Sequence, residues 1–212
     1  EYGMQDWPDK KGSINAMKND LNTWMKMYDV KRFFTIDAHF AGEEWTKDYP
    51  IVNVSVMDLL VDKAREIGYK DLALIGPDEG VERRAIDLGV PIKIIEKERI
   101  NSYKNEHKMP ADIQQFVEGK DALAIDDVIE TGRTLKTSGK LLRTCRPRRL
   151  GSAATHLRMT EGLKYIQEKE DYLEAKEIFD HIIVSNTIDT PYTIFLGVDV
   201  TERVAQTLFK HM

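Results

Sequence analysis

The sequence contains a single cysteine, Cys145, so an internal disulfide is excluded and a reducing cytoplasm is the expected compartment. No apolar run approaches the length that crosses a membrane, and no signal peptide is expected, so we predict no membrane association. Basic residues are not in excess either: 31 Lys and Arg stand against 36 Asp and Glu, a formal charge of −5. This balance argues against a nucleic-acid-binding surface.

The composition is that of a soluble globular protein. Of 212 residues, 42% are hydrophobic and 32% are charged, which is enough for one good core or two small ones. The chain starts at Glu1 rather than at a methionine, which leaves open that the true N-terminus is absent.

Segments with a helical period alternate with short apolar segments, and this alternation predicts a parallel α/β sheet. The predicted helices are 14–28, 56–67, a short one ending at Gly89, 135–143, one or two within 161–179, and 201–210. The predicted strands are 32–39, 72–75, 91–95, 122–125, 150–155, 181–185 and 192–196. Residues 100–111 lack apolar periodicity and carry mixed charge, so we predict a mobile loop there.

One stretch, DALAIDDVIETGRTL at residues 121–135, combines the features of a ligand site. Its apolar run ends in two adjacent carboxylates, Asp126 and Asp127, and a loop with Thr131, Gly132 and Thr134 leads into a helical segment. A strand that is buried in a parallel sheet typically has such a continuous apolar sequence. The polar turn after it is predicted at the carboxyl edge of the sheet, where open α/β folds bind ligands.

The residue types in this turn suit a ligand that carries both phosphate and hydroxyl groups. Backbone N–H groups of a Thr/Gly turn, together with a helix N-terminus, form an anion site. The paired carboxylates would repel a bare phosphate, but they suit sugar hydroxyls or a Mg²⁺ ion carried by the ligand. A phosphorylated ribose satisfies both halves. The alternative is an ordinary strand followed by an acidic turn and a helix cap.

The segment IDDVIETGRTL resembles the phosphoribosyl-binding loop of type I phosphoribosyltransferases and of ribose-phosphate pyrophosphokinases, or PRPP synthetases. That loop usually reads V-D-D-x-x-[DS]-T-G-G-T. Here Glu130 replaces an Asp or Ser, and Arg133 replaces the second Gly. Because Arg133 brings a Cβ and a long side chain into a tight loop, it could either add a phosphate contact or block the pocket.

Four further stretches resemble motifs of the synthetases, and they occur in the family's order: YGMQD, IDAHF, GPDEGVERRA and IIEKERI. A later SNTI, at residues 185–188, resembles the family's T-[ND]-T. The short EKERI form is most similar to archaeal-type synthetases. The resemblance implies a type I phosphoribosyltransferase-like domain at residues 53–212, preceded at residues 1–52 by the incomplete C-terminal part of a second, similar domain.

The resemblance also implies a set of functional residues. Ribose 5-phosphate would be bound by Asp126, Asp127, Glu130, Thr131, Gly132, Arg133 and Thr134. The catalytic residues would be Lys97 and Arg99. The ATP-binding residues would be Gln5, Asp6 and His39, and the Mg²⁺ site would include His39 and Asp78. Structural alternatives stay open: EKER as an exposed charged turn, Asp78 as a turn residue after Pro77, and His39 as a structural histidine at a strand end.

The implied activity is Mg²⁺-dependent transfer of the diphosphoryl group of ATP to the 1-hydroxyl of ribose 5-phosphate, giving PRPP and AMP. The implied assembly is a dimer-based homo-oligomer, possibly a hexamer. Two other functions stay open: a phosphoribosyltransferase that consumes PRPP, and a non-catalytic companion subunit of a synthetase. The second is favoured by Met4, which replaces an Arg of the family, by Arg133, and by the expected absence of the family's acidic ATP-binding loop from these residues. A further departure is HLRMTEG, which replaces H-G-L-F-S-G after a strand.

Overall fold

Six parallel strands form the central sheet of the computed structural model, which describes residues 16–77, 79–84, 88–101, 104–108, 112–130, 132–158, 173–188 and 195–211. The strands in chain order are β1 (Phe33–Ile36), β2 (Ile51–Val54), β3 (Leu72–Gly76), β4 (Ile92–Ile94), β5 (Glu96–Asn101), β6 (Lys104–Lys108), β7 (Asp121–Ile129), β8 (Arg149–Leu157), β9 (His181–Ser185) and β10 (Leu196–Val198). The central sheet has the order β10-β9-β8-β7-β3-β4. The predicted parallel α/β architecture is therefore confirmed.

Helices cover both faces of this sheet. The helices are α1 (Ala16–Tyr28), α2 (Met57–Glu66), α3 (Glu79–Arg84), α4 (Ile113–Val117), α5 (Arg133–Thr144), α6 (residues 173–178) and α7 (Thr201–His211), with a 3₁₀ turn at Glu44–Asp48. No described helix has the length and apolar character that crossing a membrane requires.

The middle strand β7 has apolar side chains in two separate cores, because successive strand residues point to opposite faces of a sheet. Ala122 and Ala124 belong to a core that also contains Leu142 of α5. Leu123 and Ile125 belong to a second core with Leu60 of α2. Burial on both faces explains why this strand is recognisable as a continuous apolar run.

The N-terminal part of the described chain forms a separate parallel pair, β1 with β2, in which Phe33 lies opposite Ile51. A small cluster around the buried Met17, Leu21 and Phe40 packs α1 against this pair. The predicted domain boundary between residues 52 and 53 falls inside β2 and stays a prediction.

One prediction about local structure was wrong, and another can be compared only at its C-terminal end. Most of the predicted loop at 100–111 lies instead in an antiparallel hairpin, in which Lys97 of β5 pairs with His107 of β6. The hairpin was missed because residues 96–108 carry mixed charge and lack the apolar alternation by which a strand is recognised in a sequence. In addition, the predicted strand 192–196 corresponds to β10, which begins only at Leu196; residues 189–194 lie outside the described chain.

The basic stretch TCRPRR has a structural role at the amino edge of the sheet. Arg148 Nε donates to Asp121 Oδ1 at 2.8 Å, and its Nη2 donates to the Lys70 carbonyl at 2.9 Å. Arg149 Nη1 donates to the carbonyl of Gly68 at 3.1 Å. These arginines therefore satisfy acceptors at the start of β7 and just before β3, and this accounts for basic residues beside a buried strand.

Gly139 allows α5 to pack closely on Phe179, and we predict that alanine will not be tolerated there. A Cβ at residue 139 would lie 2.6 Å from the Phe179 ring, and Phe179 is only 4% exposed. We expect Gly139→Ala to lower the free energy of unfolding by about 1–3 kcal/mol, although alanine favours a helix by up to about 1 kcal/mol. Urea denaturation checks this.

The matched control is Gly197→Ala, because a Cβ there would meet nothing within 4 Å. This control should change the free energy of unfolding by less than about 0.5 kcal/mol. An equally small change for Gly139→Ala would contradict the packing described for α5.

Candidate functional site

A cavity of about 170 Å³ lies at the carboxyl edge of the central sheet. The residues around it come from the ends of β3, β4 and β7, from the start of α5 and from the segment after β1. Those that bear on the predicted site are His39, Pro77, Ile95, Asp126, Asp127, Glu130, Gly132 and Thr134. The cavity is therefore where ligands bind in open α/β sheets.

Both predicted carboxylates lie within β7 rather than in the turn after it. The strand was predicted to end at Ile125, but its pairing with β8 continues to Ile129, which lies opposite Leu157. Beyond Ile125, the backbone of β7 forms hydrogen bonds with β8. The stabilisation from these bonds outweighs the low strand propensity of aspartate. The Asp126 side chain also accepts the Asp127 backbone N–H at 2.9 Å. The two carboxylates thus stand on a rigid strand.

His39 contacts Asp127 across the cavity. Its Nδ1 lies 3.0 Å from Asp127 Oδ2, and the side chains of His39 and Asp127 are 37% and 5% exposed. Because a carboxylate only accepts, Nδ1 carries the proton of this bond. The structure thus brings together two predicted site residues that are 88 positions apart in the chain.

The chain turn that carries His39 is fixed by the buried side chain of Asp37. Asp37 has a left-handed backbone, with φ 38°, and its Oδ2 accepts the Val56 N–H at 3.1 Å and the Thr155 hydroxyl at 2.7 Å. Burial raises the pKa of the Asp37 carboxyl above its ordinary value, and the hydrogen bonds from Thr155 and Val56 oppose that rise. Asp37 links the segment after β1 to both α2 and β8.

The N-terminus of α5 lies at the cavity, where the sequence predicts an anion site. Gly132 is its cap, with φ 74°, and Thr134 in the first turn lines the cavity. Arg133 is exposed, has a helical backbone and is not among the cavity-lining residues. Arg133 therefore does not block this cavity, and a contact from Arg133 to phosphate stays a prediction.

Glu130 forms an ion pair that the sequence did not predict. Its Oε1 lies 3.0 Å from Arg158 Nη1, and both side chains are 33% exposed. The backbone N–H of Arg158 also donates to the Ile129 carbonyl at 2.9 Å. Two departures from the family pattern, one after β7 and one after β8, thus interact with each other.

Several predicted residues lie outside the part that the structure describes: Gln5, Asp6, Asp78, Thr131 and the side chains of Lys97 and Arg99. The backbone of Lys97 belongs to β5, which begins one residue after Ile95. Ile95 lines the cavity, and its N–H donates to the Gly76 carbonyl at 2.9 Å. The chain therefore enters β5 from the edge of the cavity, and the role of Lys97 stays a prediction.

The cavity offers carboxylate oxygens, which are ligands that Mg²⁺ prefers. Among the described residues, no group of three or more His, Cys, Asp or Glu side chains could hold a metal ion. Mg²⁺ is usually bound by one or two carboxylates together with substrate phosphates, so Asp126 and Asp127 fit a substrate-carried ion. His39 as a metal ligand stays a prediction.

A larger cavity, of about 530 Å³, lies on the other side of the His39–Asp127 contact, between α1, β1 and the ends of β7 and β8. His156 lines it, and its Nδ1 lies 2.8 Å from the Thr187 hydroxyl. Both residues lie in stretches that the sequence analysis compared with family motifs, HLRMTEG and SNTI. No role was predicted for either residue, because no local pattern predicts a contact between residues 31 positions apart.

The chain belongs to the phosphoribosyl transferase domain family, whose pattern matches residues 47–192, more than half of the chain. Within that family it is similar to ribose-phosphate pyrophosphokinases. It is 26% identical over 191 residues to that of Ralstonia nicotianae and 29% identical over 160 residues to that of Aquifex aeolicus. These alignments cover 88% and 73% of this chain, but 57% and 50% of the relatives.

The chain thus spans about half the length of the curated relatives it matches. A crystal structure of phosphoribosylpyrophosphate synthetase from Mycobacterium smegmatis superposes with a TM-score of 0.74 at 22% identity, over 100% of this chain and 69% of that one. The likeness confirms the type I phosphoribosyltransferase fold, and the names of the relatives confirm the predicted resemblance to PRPP synthetases. The archaeal-type likeness is not confirmed.

Gly132→Ala is predicted to weaken binding of ribose 5-phosphate and to destabilise the fold. With φ 74°, a Cβ at residue 132 costs about 1–2 kcal/mol. Relief of that strain would turn the N–H groups of α5 away from the position predicted for the phosphate. Calorimetric titration with ribose 5-phosphate should show at least about tenfold weaker binding.

Gly119→Ala is the matched control, because Gly119 has nearly the same φ, 73°, and open space around it. It should lose similar stability and keep normal affinity for ribose 5-phosphate. Equal affinities of the two variants would show that the N-terminus of α5 does not hold the phosphate.

Proposed function

We propose that this protein is a ribose-phosphate diphosphokinase, which transfers the diphosphoryl group of Mg-ATP to ribose 5-phosphate and forms PRPP and AMP. The observation that carries the proposal is the shared cavity of Asp126, Asp127, His39 and the N-terminus of α5. The similarity to ribose-phosphate pyrophosphokinases supports the same activity.

The sugar phosphate is assigned to the part of the cavity between β7 and α5. Backbone N–H groups in the first turn of α5 would bind the 5-phosphate, since a helix N-terminus attracts anions. Asp126 and Asp127 would accept hydrogen bonds from the ribose hydroxyls. Because both carboxylates belong to a paired strand, they are held in place before the substrate binds.

ATP is assigned to the side of the cavity where His39 lies. Gln5, Asp6 and His39 are proposed for ATP, His39 and Asp78 for the metal, and Lys97 and Arg99 for the transferring group. Mg²⁺ supplies neutralisation of phosphate charge when it is bound with the substrate. The cationic side chains of Lys97 and Arg99 would stabilise the charge that develops on the transferring group.

The reaction is a single displacement at phosphorus. The 1-hydroxyl oxygen of ribose 5-phosphate forms a bond to the β-phosphorus of ATP, the bond from that phosphorus to the oxygen shared with the α-phosphate breaks, and AMP leaves with that oxygen. The hydroxyl proton is released. Little covalent chemistry is asked of the protein, so orientation of two anions accounts for most of the proposed rate.

The test is incubation of the full-length protein with ATP, ribose 5-phosphate and Mg²⁺, with AMP and PRPP measured together. Equal amounts of AMP and PRPP are expected, with none when ribose 5-phosphate is omitted. No AMP formation, or PRPP consumption with a nucleobase instead, would reject the proposal. We further propose that the protein is cytoplasmic and forms a dimer-based homo-oligomer, with a hexamer as one candidate form.

A second candidate is a non-catalytic subunit of a synthetase. The ion pair of Glu130 with Arg158 favours it, because the carboxylate predicted to meet the sugar already has a cationic partner at 3.0 Å. This candidate requires stable association with an intact synthetase and no rate of its own. A measurable rate that Lys97→Ala abolishes would exclude it.

A further inference from the structure

His156, at the carboxyl end of β8, has hydrogen-bond partners on two other segments. Its Nε2 lies 2.8 Å from the backbone carbonyl of Ile36, the last residue of β1. Its Nδ1 lies 2.8 Å from the Thr187 hydroxyl, just after β9. The imidazole therefore connects the separate β1–β2 pair to two strands of the central sheet, and the proposed reaction has no direct use for it.

The partners determine where the ring proton lies. A carbonyl oxygen only accepts, so Nε2 carries the hydrogen that binds Ile36. The Thr187 hydroxyl, with its single hydrogen, lies between two groups: His156 Nδ1 at 2.8 Å and the Thr155 carbonyl at 2.9 Å. Thr187 is itself held, because its backbone N–H donates to Ser185 Oγ at 3.1 Å, and that hydroxyl donates to the Thr155 carbonyl at 2.6 Å. The ring is thus held in one orientation by contacts at both nitrogens.

The carbonyl that His156 binds lies three residues before His39. The turn between them has a second anchor, the hydrogen bond from the Thr155 hydroxyl to Asp37 at 2.7 Å. Thr155 and His156 are neighbours on β8, and Val128, next to Asp127 on β7, pairs with His156. The turn is therefore anchored to β8, which pairs with β7, the strand that carries Asp127.

We propose that His156, oriented by Thr187, is a positioning residue that sets the location of His39 against Asp127. His39 is assigned to ATP in the proposed function, so the catalytic consequence rests on that function, while the positioning itself does not. Loss of the bond to Ile36 lets the end of β1 shift, and shifts of about 1 Å at a reacting centre cost up to about 100-fold in rate.

Two variants, His156→Gln and His156→Asn, distinguish a positioning role of His156 from a role in packing alone. The amide of the glutamine can reach the Ile36 carbonyl in place of Nε2, whereas the shorter asparagine cannot. Because both variants remove the ring, a role in packing alone predicts similar losses for both. The control is His181→Gln, on the neighbouring strand β9 at the opposite edge, where Nδ1 lies 3.1 Å from the Tyr69 hydroxyl.

The first readout is ¹⁵N NMR of the His39 imidazole in the full chain, which follows the bond from Nδ1 to Asp127 without turnover. We expect this bond in the unmodified protein, in His156→Gln and in His181→Gln, and its loss in His156→Asn. The second readout is the rate of AMP formation, with kcat lowered roughly 10- to 100-fold in His156→Asn and within about threefold of normal in His156→Gln.

An unchanged His39 spectrum in His156→Asn, or equal losses in Asn and Gln, would overturn the proposal. If His156→Asn does not fold, Thr187→Val and Thr187→Ser serve the same comparison, with the serine expected to restore the His39 signal that valine weakens. The two proposals fail separately: absence of AMP formation with an intact His39 response rejects the proposed reaction only.

Discussion

Asp127→Asn is expected to lower the rate of AMP formation by about 100-fold or more, with little change in the stability of the fold. The Asp127 carboxylate is 5% exposed and accepts from His39 at 3.0 Å, so its charge acts at the centre of the cavity, with little screening by water. Asparagine has the same shape and keeps one acceptor oxygen. The change therefore removes the charge and leaves the packing.

The measurement is the initial rate of AMP formation at saturating ATP and varied ribose 5-phosphate, with thermal unfolding as a check on folding. Glu118→Gln is the control, because it makes the same change in charge just before β7, on an exposed side chain far from the carboxyl edge. A rate for Asp127→Asn within threefold of the control would show that the carboxylate does not serve the reaction.

Asp121→Asn is expected to have the largest effect on stability, about 2–3 kcal/mol at pH 7. Asp121 is 1% exposed, and its two oxygens have separate partners: Oδ1 accepts from Arg148 Nε at 2.8 Å, and Oδ2 accepts the Lys70 N–H at 2.6 Å. With asparagine, one of these donors would face an NH₂ group. That donor would then lose its acceptor, and the buried side chain at residue 121 would lose one of its two anchors.

The same carboxylate predicts a dependence of stability on pH. Burial disfavours the Asp121 carboxylate, but hydrogen bonds from Arg148 and from the Lys70 N–H outweigh that cost and hold its pKa below the ordinary value. Because its pKa is lower in the folded state, its contribution is complete above the unfolded pKa of about 4 and is lost as pH falls through the folded pKa. Asp121→Asn should lack this part of the acid dependence.

Urea denaturation at pH 7 and at several values below pH 4 measures both effects. Asp62→Asn is the control, because it removes an exposed ion pair with Arg65 at 2.7 Å. The side chain of Asp62 is 62% exposed and that of Arg65 is 50% exposed. Such a pair contributes at most about 1 kcal/mol. Equal losses in the two variants would refute the assignment of Asp121 as an anchor of the sheet.

The parts of the fold that the sequence predicted are those where burial dictates composition. β3, β7 and β9 are buried apolar runs, and each was located to within a few residues because a parallel strand covered on both faces admits few polar side chains. The extension of β7 past Ile125 was missed, since pairing with β8 there overrides the local preference of Asp126 and Asp127.

The residue pattern by itself indicated a candidate site only where the residues lie close together in sequence, whereas His39 was predicted from the family resemblance. The stretch around Asp126 and Gly132 has both its acids and its turn within a dozen residues, so its chemistry was readable. The partners of His156 are a backbone carbonyl and a hydroxyl 120 and 31 positions away, and such contacts leave no local pattern. Arg158 and Glu130 were noted as departures, but their pairing depends on the alignment of β7 with β8.

The most direct test of the proposed site is a crystal structure of the protein with ribose 5-phosphate and a non-hydrolysable ATP analogue. We predict the 5-phosphate at the N-terminus of α5, the ribose hydroxyls on Asp126 and Asp127, and the Lys97 amine facing the phosphates of the analogue from the same cavity. A sugar phosphate bound elsewhere, or a Lys97 amine on the far side of the sheet from those carboxylates, would contradict the proposed function.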